Sequence, residues 1–278
     1  MSTTSSDFIA ITTYRYLRIG IVGLVLLLAM SVGIERTRSH CWQTSISAYY
    51  YTPVRAIFVA GLLAIGLCLI VIKGRGLEDA ALNFAGMLAP VVAVVPTSAS
   101  NGCQSSTPKL AGLELQNWVH ANVHNNVMSL LLAGFAGLIT AAIIASVNQR
   151  SLKAVMAVGT KEMRIGLWAT LAFLMLGWLL FAKWSGFETH AHSYAALLMF
   201  IMLAAAIGSN AWRRRGQDKQ RYVGIYGATA IGMVVVGIAC FAYPGTWNHR
   251  ILWLEMLEIL LFATFWLTQT YEHWNSGR

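Results

Sequence analysis

The chain has 278 residues, of which 57% are hydrophobic and only 11% charged, with a mean hydropathy of +0.59. A soluble domain carries roughly 25% charged residues, so these figures exclude an ordinary water-soluble domain. The formal charge of +9 then has to be placed along a chain that is mostly apolar.

Apolar runs long enough to cross a bilayer core of about 30 Å recur along the sequence. They predict an all-α, polytopic transmembrane helical bundle in one domain, with spans at about 17–34, 54–73, 80–97, 125–147, 163–184, 190–211, 222–243 and 249–270. Helices are required because lipid offers the backbone no hydrogen-bond partner. The runs are continuous and not alternating, which excludes a barrel.

The first span, RYLRIGIVGLVLLLAMSVG, has the basic flank and small-residue exit of a secretory signal peptide. The exit is imperfect, and a retained helix is the favoured reading. Before the second span stands SISAYYYTPVR. Tyr49, Tyr50 and Tyr51 read as aromatics of the membrane interface, Thr52 as a helix cap and Pro53 as a first-turn residue. Arg55 then carries a fixed charge into the same leaflet. Pro90 is expected to kink the third span.

Cys41 and Cys103 fall in the first and third connections, on one side of the membrane, where an oxidising compartment would allow a disulfide. Two unpaired thiols are the alternative. Cys68 and Cys240 lie inside spans and read as small packing residues. Ahead of the fourth span, NWVHANVHNN places His120 and His124 one helical turn apart. Two histidines make an incomplete zinc site, so the stretch reads as the wet end of a helix, with His124 left open as a ligand. In the sixth span the apolar stretch from Ala195 to Gly208 is too short to cross alone. It draws in His190 and His192, which cannot share a helical face.

The eighth span carries the strongest polar signal. Glu255 and Glu258 sit one turn apart, roughly 9 and 13 Å along the helix from His249. A carboxylate at that depth is expensive and by default marks function. Arg55 is its candidate partner if the role is only structural.

Basic residues set the threading. With both termini cytoplasmic, the inner segments hold 14 of the 20 lysines and arginines and the outer segments 6, as the positive-inside rule requires. The charge, RRRGQDKQR at 213–221 included, therefore reads as topology, with anionic lipid as a secondary partner and no nucleic acid expected. Six of the seven histidines fall on the outer side.

Two segments, SISAYYYTPVR with its later Pro96-Thr97 and ILWLEMLEILLFATFWL, resemble a group of uncharacterised multi-pass bacterial membrane proteins. The resemblance covers about half of the chain and implies a bacterial inner (plasma) membrane protein without a known reaction. Residues 118–184 look like an extra helical pair relative to it.

These readings converge on a polar pocket in the outer half of the bundle. It would hold Glu255, Glu258 and Arg55 as acting groups and His124, His192 and His249 as candidate metal ligands. The resulting function is a metal-dependent lipid or amide hydrolase, zinc being the candidate cofactor and haem the runner-up. It loosely resembles the seven-helix ceramidase and adiponectin-receptor-like hydrolases, whose full ligand pattern the sequence does not contain. A proton-coupled transporter and a non-catalytic protein binding a lipid, small molecule or partner subunit are the alternatives. Reporter fusions test the threading: one after Arg278 or within 213–221 is expected to read cytoplasmic, and one within 98–116 external. An external signal from 213–221 would overturn the topology.

Overall fold

The structure is a computed structural model and describes residues 5–98, 112–148, 161–215, 220–243, 245 and 247–274. Among these there are no strands. The long helices are α1 (Ser5–Ser39), α2 (Arg55–Val71), α3 (Leu77–Val94), α4 (Gly112–Asn148), α5 (Lys161–Lys183), α6 (Phe187–Arg213), α7 (Gln220–Ala242) and α8 (Arg250–Glu272). Seven of them are long and apolar enough to cross a membrane, so the chain is an integral, multi-pass membrane protein. The eighth, α2, has 17 residues and is about 25 Å long, shorter than the span expected there.

The chain divides into two compact units, one of residues 1–111 with 192–278 and one of residues 112–191. The second encloses 118–184. In the first unit, α1 presents Ile21, Val25, Leu28 and Val32 inward, a stripe at three- and four-residue spacing. It packs on α2 and α8, while α7 packs on α8. Helices α2 and α3 approach at two glycines. A Cβ on Gly66 would lie 2.8 Å from the Gly86 carbonyl oxygen, and one on Gly86 would lie 2.6 Å from that of Gly66. In lipid such small-residue contacts let backbones meet where no hydrophobic force drives association. Helix α3 continues through Pro90.

Between α1 and α2 the chain makes a buried turn. Helix α1 stops at His40, which takes the left-handed conformation (φ 54°), a usual way to end a helix. A short 3₁₀ helix, Ser47–Tyr51, follows. Its tyrosines depart from the sequence expectation: Tyr49, Tyr50 and Tyr51 are only 0%, 1% and 7% exposed, so they are core residues and not an interfacial belt. Tyr51 donates to the Thr97 carbonyl at 2.8 Å. Burial, with Tyr50 beside it and Arg55 opposing, pushes its hydroxyl up to about 12. Thr52 accepts from Val54 N at 3.2 Å while donating to Tyr49 O at 2.8 Å, but the cap position of α2 is Val54, which has no side-chain cap bond, and not Thr52 as expected. Cys41 is disulfide-bonded; Cys103, its expected partner, lies outside the described residues. Cys68 and Cys240 are free.

In the second unit α4 runs for 37 residues, about 55 Å, far longer than a bilayer core. The NWVHANVHNN stretch is its first part, a helical extension with His120 and His124 exposed. Helices α4 and α5 interlock where Leu174 fills the space beside Gly134, and Phe135 meets Trp178 edge-on at 6.4 Å.

Candidate functional site

The first unit has a polar centre at each end. At the end where α8 begins, its opening turns clasp residues 43–47. The Leu252 N–H donates to Thr44 O at 3.0 Å, and His249 Nδ1 lies 3.2 Å from Gln43 O, a contact in which only the ring nitrogen can donate. Glu255 completes the clasp. Its Oε2 accepts from the backbone N–H of Ile46 at 2.5 Å and of Ser47 at 3.4 Å, and its Oε1 accepts from the Ser47 hydroxyl at 2.9 Å. The Ser45 hydroxyl accepts from Ala48 N at 2.9 Å. The carboxylate thus meets the amide donors at the start of that turn, where negative charge is favoured.

The residues singled out in the sequence therefore separate. Glu255 is held by Ile46 and Ser47, whereas Arg55 donates to the Tyr50 hydroxyl at 3.0 Å and lies 4.5 Å from the centre of its ring. Glu258 is only 3% exposed, and its Oε2 has no hydrogen-bond partner among the described residues. His192 is buried, with Nδ1 2.6 Å from Val95 O. His124 belongs to the second unit. There its ring packs 5.5 Å from that of Phe181, and the neighbouring His120 meets Glu188 at 2.6 Å. Among the described residues no three His, Cys, Asp or Glu side chains gather as metal ligands would, and His124, His192 and His249 each have a different local partner. His190, on another face from His192, stacks on Trp184 at 6.1 Å.

Beside the clasp lies a narrow cavity of about 70 Å³. Each wall is one helical stripe: Phe58, Leu62, Ile65 and Leu69 from α2; Ala196, Met199, Phe200 and Leu203 from α6; Ile259 and Phe262 from α8. Ser47 and Glu255 supply its polar side chains.

The other polar centre was not legible as a site in the sequence. Glu78, 5% exposed, accepts from Asn210 Nδ2 at 2.7 Å and Gln269 Nε2 at 3.0 Å, and pairs with Arg213. Arg214 grips Glu272 with two parallel contacts of 2.9 Å and donates to Asn210 Oδ1 at 2.6 Å. Tyr226 donates to Glu272 at 2.8 Å while its ring lies under the Arg214 guanidinium. Two members of the RRR run read as topology are therefore internal ligands, and Arg215 alone stacks on exposed Trp212. The clue available in sequence was Glu78 at one helix start, with Asn210, Gln269 and Glu272 near two helix ends.

No protein-family model, curated protein or solved structure matches the chain.

The network's weight can be measured. Arg214→Ala removes the guanidinium from Glu272 and from Asn210 Oδ1, and breaking a buried pair costs about 3–5 kcal/mol. Arg215→Ala, at an exposed stack, is expected to stay within about 0.5 kcal/mol. Thermal unfolding in detergent should therefore separate the two variants clearly; equal effects would mean that the network does not hold the helices.

Proposed function

We propose that this chain is a bacterial plasma-membrane protein, with both termini cytoplasmic, whose first unit binds the apolar chain of an amphiphilic, lipid-like ligand. Glu255 and Ser47 stand at the polar end. The observation that carries this reading is the cavity, which lies between helices of the bundle, a place where ligand pockets occur. Its composition is also that of such pockets, apolar walls with a few placed polar groups. The proposed kinship with multi-pass bacterial proteins supports the same place, since Ser47 of the SISAYY motif and Glu255 of the WLE motif are hydrogen-bonded to each other.

Binding without chemistry is favoured over hydrolysis. A metal-activated water needs three or four protein ligands held together, and Glu255 is engaged with backbone amides. A proton-coupled carrier is the second reading, favoured by one group: Glu258, buried with a bare oxygen, an arrangement that is costly unless it is used.

The test is organic extraction of the purified protein followed by mass spectrometry, in the wild type and in Ala196→Trp, which fills the cavity. The wild type is expected to carry near-stoichiometric amphiphile and the variant at least tenfold less at an unchanged unfolding temperature. Equal lipid content in both would contradict the reading.

A further inference from the structure

The polar end of the cavity has a one-sided hydrogen-bonding character, and this specifies the ligand's head group. A serine hydroxyl has one proton to donate and two lone pairs to accept with. The proton of Ser47 is committed to Glu255 Oε1 at 2.9 Å, so only lone pairs remain. The backbone N–H groups of Ile46 and Ser47 are committed to Glu255 Oε2. The carboxylate has room for about four donors and receives three here, leaving one acceptor position on Oε1. All other lining residues are apolar, among them Val25, Leu28, Phe58 and Phe262. Whatever reaches this end meets hydrogen-bond acceptors and no spare donor.

We propose that the cavity selects amphiphiles whose head donates hydrogen bonds, a hydroxyl or a primary ammonium, and rejects carboxylate and phosphate heads. The inference rests on the ligand-binding reading above and adds the chemical class to it. Arg55, the first residue of α2, is engaged with Tyr50 and is not among the cavity's lining residues. An anionic head would lose its hydration without compensation, since a desolvated acceptor needs a donor that this site does not offer. An ammonium or hydroxyl supplies the fourth donor to Glu255.

Three twelve-carbon probes with a photoreactive diazirine at the chain terminus and an amine, an alcohol or a carboxylate at the other end test this. They are crosslinked to the full-length protein in nanodiscs at neutral pH, and labelling within 58–69 and 196–203 is quantified against the Ala196→Trp background. The amine and alcohol are expected to label these segments at least tenfold more than the carboxylate. Glu255→Gln keeps an acceptor for the two amides but turns a donor toward Ser47 and the cavity, so carboxylate labelling should rise relative to amine. If no head labels the wild type above background, the binding reading fails and the head-group inference falls with it. Equal labelling by all three heads in the wild type, or preference for the carboxylate, leaves the binding reading standing and overturns the selectivity.

Discussion

The carboxylate of Glu255 meets the amides of Ile46 and Ser47 inside the bundle, and the end of the first unit where α8 begins depends on that contact. A turn buried beside membrane helices carries backbone groups that water cannot reach, and each must find a partner within the protein. Residues 43–47 solve this against the first turns of α8, through Leu252, His249 and Glu255. With the turn held there, the three tyrosines enter the core, Thr52 bonds Tyr49 and Val54 on the approach to α2, and the cavity acquires its polar side chains. The same contact explains how a glutamate is tolerated at this depth: its cost is offset by charge-assisted hydrogen bonds, each worth about 1.5–3 kcal/mol.

The far end of the unit is held by different chemistry. There, guanidinium groups grip carboxylates from neighbouring helices, with Asn210 and Gln269 both donating to Glu78 Oε1, the oxygen that Arg213 does not hold. Between the two polar ends α8 is apolar from Ile259 to Thr264 apart from its last residue, and α2 and α3 close up through paired glycines. Polar chemistry at the ends and small-residue packing in the middle is the division that a lipid solvent favours.

Helix number and type were legible in the sequence, because continuous apolar runs of about 20 residues leave few alternatives in a bilayer. Helix ends were less so. The fourth span begins at Gly112 and not at 125, since hydropathy stops reporting where a helix leaves the membrane, while the backbone ladder continues. Glu255 stood out by its depth, but its partner did not. A side chain that bonds to backbone amides 209 positions away leaves no trace in residue type, and Arg55 was the only visible candidate. The internal partners of Arg213 and Arg214 were hidden for a related reason: a basic run beside a span satisfies the positive-inside rule whether its side chains point to water or into a network. Glu78, next to Asp79 at a helix start, resembled ordinary first-turn acidity.

Amide hydrogen exchange over residues 43–51, in the wild type and in Glu255→Ala, tests the central contact most directly. Loss of charge-assisted bonds worth about 1.5–3 kcal/mol corresponds to roughly 10- to 100-fold faster opening at 1.4 kcal/mol per tenfold. Slow exchange at Ile46 and Ser47 in the wild type, accelerated by that factor in the variant while α3 stays protected, is the result the account predicts. Exchange at Ile46 and Ser47 that is equally slow in both proteins would show that Glu255 does not hold the turn, and would contradict it.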